Sequence, residues 1–99
     1  MSDAPSRFSI EFDRHVEREL KDLPPAIARI VLQEIQERLS TAPFQELKTR
    51  IKRMTGFVPP LYRLRVGDYR AYYRISERNV VVLAVLHKKD SDRWLRRQA

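Results

Sequence analysis

The stretch YRLRVGDYRAYYRI, from Tyr62 to Ile75, decides how this chain folds. Two segments in which apolar and polar side chains alternate flank the pair Gly67 and Asp68. This pattern is typical of two antiparallel strands joined by a tight two-residue turn. The same fourteen positions hold four arginines and four tyrosines. A hairpin that concentrates so many like charges needs a physical reason for doing so.

A two-residue turn fixes which residues lie opposite each other, beginning with Val66 opposite Tyr69. Because side chains alternate along a strand and opposed residues share a face, the hairpin separates into two faces. One face is predicted to cover the core and consists of Tyr62, Leu64, Val66, Tyr69, Ala71, Tyr73 and Ile75. The other, the arginine face, consists of Arg63, Arg65, Arg70, Tyr72 and Arg74.

The arginine face predicts an anion-binding surface. Like charges directly opposite each other, such as Arg65 and Arg70, destabilise a hairpin by on the order of 1 kcal/mol. A phosphate would remove that repulsion and accept from the planar guanidinium donors, and the Tyr72 ring offers a surface on which a base stacks. The alternative is a solvated face neutralised by carboxylates. For that role the second half of the chain has only Asp68, Glu77, Asp90 and Asp92.

The segments before the hairpin predict one strand and two helices. Residues 7–12 (RFSIEF) alternate as a half-buried strand does, and Asp13 is a candidate cap for a helix that runs to about Leu23. A second helix is predicted from apolar side chains at every fourth position, namely Ile27, Val31, Ile35 and Leu39. Residues 44–60, with a glycine and two prolines, are predicted to be irregular.

After the hairpin, residues 80–86 (VVVLAVL) predict a buried strand at the centre of the sheet, and residues 90–98 (DSDRWLRRQ) predict a short helix. The expected order is therefore β-α-α-β-β-β-α, in a single domain over residues 1–99. This is an α+β fold. It has a small, mostly antiparallel sheet with two N-terminal helices packed on one face and a short C-terminal helix.

Charge is divided unevenly along the chain, whose formal net charge is +7. Residues 1–47 carry six basic and nine acidic side chains, whereas residues 48–99 carry fourteen basic and four acidic ones. This asymmetry favours a polyanionic partner such as nucleic acid, with an acidic protein as a second possibility for the same face. The absence of cysteine and of a long apolar run leads us to expect a cytoplasmic protein with no membrane segment and no thiolate metal site.

Two further basic clusters lie outside the hairpin. The first is in the irregular segment and includes Lys48, Lys52 and Arg53, for which a solvated face is the alternative. The second, residues 87–89, follows the last strand and reaches the hairpin's edge if that strand pairs beside it. A histidine such as His87 can exchange a proton with a ribose hydroxyl, although a histidine at a strand end is often structural.

The segment LYRLRVGDYRAYYRI followed by NVVVLAVLHKKD, in this order of elements, resembles the RelE/ParE superfamily of toxins from type II toxin–antitoxin systems. The resemblance spans nearly the whole chain, the hairpin is its most specific part, and the RelE-like branch is favoured. RelE-type toxins are metal-independent endoribonucleases that cut messenger RNA in the A site of the 30S ribosomal subunit. An antitoxin protein wraps and silences them.

The resemblance implies a ribosome-dependent messenger-RNA endoribonuclease without metal or cofactor, whose partners are mRNA, the ribosome and a cognate antitoxin. The expected catalytic residues are Arg63, Arg65, Arg70, His87 and Lys89. The expected RNA-binding residues are Lys48, Lys52, Arg53, Tyr72, Arg74, Lys88 and Trp94. The expected reaction is attack of a ribose 2′-hydroxyl on the adjacent phosphorus.

The chain departs from RelE at some of these positions. RelE is similar but has lysines in place of Arg63 and Arg65, and a tyrosine in the last helix where this chain has Trp94 or Leu95. Since arginine stays protonated at physiological pH, the general base is open among residues 87–89. The alternative function is a ParE-like toxin that poisons DNA gyrase without nuclease activity. A nucleic-acid-binding domain with no toxin role is a third interpretation.

Overall fold

A computed structural model describes residues 7–46 and 50–98 of the chain. In these residues the strands are β1 (Ser9–Phe12), β2 (Ile51–Met54), β3 (Leu61–Val66), β4 (Tyr69–Ser76) and β5 (Asn79–His87). The helices are α1 (Val16–Lys21), α2 (Pro25–Leu39) and α3 (Ser91–Gln98), and a 3-10 turn at Lys88–Asp90 precedes α3.

The strands form one open sheet in the order β1-β5-β4-β3-β2. β1 runs parallel to β5, and all other neighbouring strands are antiparallel. This confirms the predicted α+β class and the mostly antiparallel sheet. Two details of the prediction are wrong. The middle strand is β4 rather than β5, and residues 44–60 are not wholly irregular, because β2 forms there by pairing with β3.

Helices cover both faces of the sheet. α1 and α2 pack on one face, where α2 contributes Val31, Ile35 and Leu39 to the core, each at most 1% exposed. This placement confirms the helix that was predicted from apolar side chains at every fourth position. α3 lies on the other face, where the Trp94 ring stacks on Tyr72. The hairpin is therefore enclosed between two helical layers, and only part of its arginine face is open.

The hairpin has the register that the two-residue turn predicts. Val66 lies opposite Tyr69, and Arg65 lies opposite Arg70. Gly67 has φ +58°, whereas Asp68 is not among the positive-φ residues. This is the pattern of a type II′ turn, which requires glycine at its first central position. The Gly-Asp order, less common in hairpins than Asp-Gly, thus follows from the type of turn.

A β-bulge interrupts the pairing of β4 with β5. Tyr72 lies opposite Ala84 but Tyr73 lies opposite Val82, so β5 has one extra residue, Leu83, at this point. Because side chains alternate with period 2, an extra residue exchanges the faces of everything that follows it on the strand. The bulge therefore decides which face His87 occupies.

Glu19 on α1 supports β5 beyond the end of β1. β1 pairs with β5 only as far as Val82, and further along the Glu19 carboxylate accepts a hydrogen bond of 2.8 Å from the Val85 backbone N–H. Burial raises the pKa of Glu19 above its ordinary value of 4.5, while the bond from Val85 acts in the opposite direction. The carboxylate thus takes the place of a strand partner for one backbone donor.

We expect Glu19→Ala to lower the free energy of unfolding by about 1 to 2 kcal/mol, because the Val85 N–H loses its acceptor. Glu19→Gln keeps an oxygen acceptor without a buried charge and should match or exceed wild-type stability at pH 7. Since the folded protein binds the Glu19 proton more tightly than the unfolded chain, the wild type should gain stability relative to Glu19→Gln as the pH falls from above the raised pKa toward 4.5. Urea unfolding at pH 7 and at the lower pH measures both effects, and an undiminished stability of Glu19→Ala would contradict the first.

The start of α1 differs from the predicted cap. The N-cap residue is His15, which makes no side-chain capping bond, and the Asp13 carboxylate instead accepts from the neighbouring Arg14 N–H at 2.8 Å.

Over residues 7–46 and 50–98, no helix combines the length and the apolarity needed to cross a bilayer. The same residues contain no group of three or more histidine and acidic side chains placed to hold a metal ion.

Candidate functional site

The arginine face lies on the side of the sheet turned away from α1 and α2. On β3 and β4, Arg65 is opposite Arg70 and Arg63 is opposite Tyr72, while the alternate residues of both strands pack against the core. β2 extends this surface because Lys52 lies opposite Arg63. Basic side chains of three strands therefore share this face, and one of them, Lys52, belongs to a strand that local sequence signals miss.

The arginines of this face form no salt bridge among the residues that the structure describes. No salt bridge there reaches Arg63, Arg65, Arg70 or Arg74. The acidic groups in the second half that form ion pairs do so elsewhere: Asp68 lies 3.4 Å from Lys88, and Asp90 lies 3.8 Å from Arg93. The described contacts thus do not support a face neutralised by carboxylates.

Arg70 is fixed at the tip of the hairpin. Its Nη1 donates to the carbonyl oxygens of Gly67 and Tyr69, both at 2.9 Å. Partial burial, followed by the charges of Arg63 and Arg65, lowers the pKa of Arg70 from its ordinary value. The three guanidinium groups therefore act on one another, and one of them is held in place by backbone carbonyls.

Arg63 and Arg74 each contain a buried donor without an acceptor. The Nε atom of both side chains is inaccessible and has no hydrogen-bond partner within the described ranges. A buried donor on a charged group is costly to leave unpaired. Because both Nε atoms are inaccessible, an acceptor from outside the chain would reach them only if the cover of this face moved.

Tyr72 is covered by α3 and does not present an open ring. It is only 1% exposed, and the Trp94 ring stacks on it with centroids 4.8 Å apart at 21°. Leu61 and Ala84, both fully buried, lie outside the main core cluster and belong to the same face. In this arrangement Trp94 occupies a side of the Tyr72 ring, so an RNA base would stack there only if Trp94 moved.

His87 lies at the expected edge of the sheet but on the opposite face from the arginines. It pairs with Tyr69, and the two rings meet edge to face at 5.2 Å. Its Nδ1 accepts a hydrogen bond of 3.1 Å from the Lys89 backbone N–H. The bulge in β5 turns His87 to this face of the sheet. This placement does not support the predicted catalytic role of His87 as a direct proton carrier.

The remaining predicted residues are dispersed. Lys88 binds the hairpin turn through Asp68, both by its ammonium and by its backbone N–H, which donates to the Asp68 carbonyl at 2.8 Å. Lys89 is exposed on the 3-10 turn. Arg53 pairs with Tyr62 and so points to the face of α1 and α2, away from the arginine face. Lys48 lies outside the described residues.

Three comparisons relate the chain to known proteins. Residues 10–91 match the family model described as ParE toxin of type II toxin-antitoxin system, parDE. A putative toxin RelE1 from Methanocaldococcus jannaschii is 29% identical over 85 residues, which cover 85% of this chain and 92% of the relative.

Two solved toxin–antitoxin complexes have a similar fold. In RelBE2 from Mycobacterium tuberculosis, the matching chain is 28% identical with a TM-score of 0.68, and the match covers 87% of this chain and 97% of that one. In RelB-RelE from Methanococcus jannaschii, the corresponding values are 26%, 0.67, 85% and 96%.

Proposed function

The chain belongs to the ParE toxin family of type II toxin–antitoxin systems, within the RelE/ParE superfamily, and on that premise we propose that it is an endoribonuclease that cuts messenger RNA in the ribosomal A site. The observation that carries this proposal is the arginine face, whose four arginines have no carboxylate partner in residues 7–46 and 50–98. Guanidinium donors that form no salt bridge within the chain suit a phosphodiester, on which negative charge builds up during cleavage.

In the proposed reaction, the ribose 2′-oxygen forms a new bond to the adjacent phosphorus, and the bond from phosphorus to the 5′-oxygen of the next nucleotide breaks. The products are a cyclic phosphate and a free 5′-hydroxyl. One proton leaves the 2′-hydroxyl, and one reaches the departing oxygen. Arg63, Arg65 and Arg70 stabilise the charge on the phosphorus-bound oxygens, and the scheme uses no metal or cofactor.

Proton transfer needs a group other than arginine, which is too basic to give up its proton. We assign the proton that reaches the departing 5′-oxygen to the ammonium of Lys89, which is exposed on the turn between β5 and α3, and the proton that leaves the 2′-hydroxyl goes to water. His87 would act as a positioning residue, because its Nδ1 accepts from the Lys89 backbone N–H. Lys52 and Arg74 would bind the RNA backbone beside the reacting phosphate.

A cognate antitoxin is the second part of the proposal. The two solved structures described above are complexes of a toxin with an antitoxin. A segment that silences this chain should be acidic or amphipathic, and it should cover the arginine face or displace α3. Action on ribosomes would place the protein in the cytoplasm.

The second candidate function is inhibition of DNA gyrase, which the ParE description of the matching family model favours. Primer extension on messenger RNA in a translating extract, run beside a gyrase supercoiling assay, separates the two. We expect codon-phased cuts that require ribosomes and unchanged supercoiling. Intact messenger with inhibited supercoiling would transfer the function to gyrase. RNA binding with neither effect would leave a nucleic-acid-binding domain.

A further inference from the structure

The turn of the hairpin carries a carboxylate beside the arginine face. Asp68 is the second central residue of the turn and lies between Gly67 and Tyr69. Arg70 donates to the carbonyl oxygens of both of these neighbours, each at 2.9 Å. The Arg70 guanidinium group therefore lies against the same turn that bears the Asp68 side chain.

A carboxylate in this place can compete with a phosphate for Arg70. Arginine binds both anions with the same planar set of donors. Burial and the neighbouring arginines lower the pKa of Arg70, whereas the charge of Asp68 acts in the opposite direction. The two charges therefore interact across the turn. An ion pair between them would occupy donors that the proposed site offers to RNA.

Lys88 engages this carboxylate instead. Its ammonium nitrogen lies 3.4 Å from Asp68 Oδ1, and its backbone N–H donates to the Asp68 carbonyl oxygen at 2.8 Å. The backbone bond ties the start of the 3-10 turn to the hairpin and so brings the Lys88 side chain to its partner. Over residues 7–46 and 50–98, the salt bridge of Asp68 goes to Lys88 and none goes to Arg70.

Stability does not explain this ion pair. The two side chains are 56% and 65% exposed, and ion pairs between such exposed groups contribute little to folding. The pair nevertheless determines which cation the carboxylate contacts, because Arg70 is a second cation at the same turn. Its consequence therefore concerns the arginine face rather than the fold.

We propose that Lys88 is a positioning residue, which engages the Asp68 carboxylate and so keeps the Arg70 guanidinium group available to an RNA phosphate. This inference rests on the proposed nuclease function, in which Arg70 stabilises the reacting phosphate. It gives Lys88 a role that requires no contact with RNA. Direct binding of RNA by Lys88, which its sequence position suggests, predicts a different result from the same variants.

A double-mutant cycle of Lys88→Ala and Asp68→Asn separates these roles. The affinity for a labelled single-stranded RNA is measured by fluorescence anisotropy in the absence of ribosomes. We expect Lys88→Ala to weaken binding by about 5-fold, the upper end for an exposed ion pair. In the Asp68→Asn background, the same substitution should cost less than about 2-fold, the usual scatter for independent sites. Asp68→Asn alone should bind at least as tightly as the wild type, because Arg70 loses its competitor.

Lys21→Ala is the matched control. Lys21 forms an equally exposed ion pair with Glu17, at 3.9 Å, on the helix that packs against the opposite face of the sheet. Its loss removes the same charge and should change RNA affinity by less than about 2-fold. Asparagine is favoured in turns, and the backbone bond from Lys88 depends on neither side chain. Circular dichroism melts of all the variants check that they fold as the wild type does.

Three results would overturn the positioning role. An equal loss from Lys88→Ala in both backgrounds would mean that Lys88 contacts RNA directly. Weaker binding by Asp68→Asn alone would mean that the ion pair holds the site together. Unchanged binding by Lys88→Ala would mean that Asp68 does not compete for Arg70.

Cleavage assays keep this inference apart from the nuclease function. The same proteins are compared by primer extension in a translating extract. A wild type that binds RNA and shows the rescue by Asp68→Asn, yet cuts no messenger, would refute the nuclease function and keep the role of Lys88. Cutting without that rescue would do the reverse. A wild type that binds no RNA would overturn both.

Discussion

Arg70→Ala is expected to lower the rate of messenger-RNA cleavage by about 10²- to 10³-fold, the effect of removing one fixed donor to a developing oxyanion. The structure gives Arg70 this role because Gly67 and Tyr69 hold its guanidinium group at the hairpin tip, beside Arg65. Primer extension with a defined messenger and purified ribosomes measures the rate. The wild type and the variant should have the same melting temperature within a few degrees.

Two control variants sharpen this prediction. Arg29→Ala removes an exposed arginine from α2, on the other side of the sheet, and should cut at the wild-type rate. Arg70→Lys keeps the charge but loses the planar donors, so its rate should fall between those of the wild type and the alanine variant. Wild-type cleavage by Arg70→Ala would remove Arg70 from the reacting centre.

The register of the arginine face follows from local sequence because a two-residue turn leaves no freedom in the pairing of its strands. The same local signals predict α2, whose apolar residues recur at every fourth position. β2 is different, because its four residues carry little signal of their own and become a strand only by pairing with β3 at the sheet edge. Because Gly56, Pro59 and Pro60 lie close by, the sequence of that segment predicts a loop.

His87 illustrates a limit of reading faces from alternation. Val80 and Val82 face the core, so an uninterrupted strand would place His87 on the other side, with the arginines. The extra residue at Leu83 reverses this order, and Val85 and His87 turn toward α1 and α2 instead. Nothing in the run VVVLAVL marks the bulge, because every residue in it is apolar.

Tyr72 illustrates a second limit. Alternation correctly predicts that it shares a face with the arginines, but alternation does not say what covers that face. The cover comes from Trp94, more than twenty residues further along the chain, and the contact depends on how α3 folds back over the sheet. Tyr72 is consequently a structural residue in this conformation, although its position alone suggested a binding role.

Tyr72→Ala is expected to lower the free energy of unfolding by about 3 to 5 kcal/mol, the range for truncating a fully buried aromatic side chain. Tyr72 is 1% exposed and lies among the buried residues Leu61 and Ala84, beneath Trp94. Its loss leaves a cavity under α3 and removes the surface on which Trp94 stacks. Urea denaturation measures the change in stability, and limited proteolysis should show faster cleavage near α3.

Tyr72→Phe separates packing from ligand binding, because it keeps the ring and removes only the hydroxyl. If the ring supports α3, this variant should stay within about 1 kcal/mol of wild-type stability and keep wild-type cleavage, since packing is retained. If the ring instead stacks on RNA, Tyr72→Ala would lose RNA affinity without losing stability. That outcome would mean that α3 moves away in the active protein. The buried donors of Arg63 and Arg74, which flank Tyr72 on the same face, would then become accessible together with the ring.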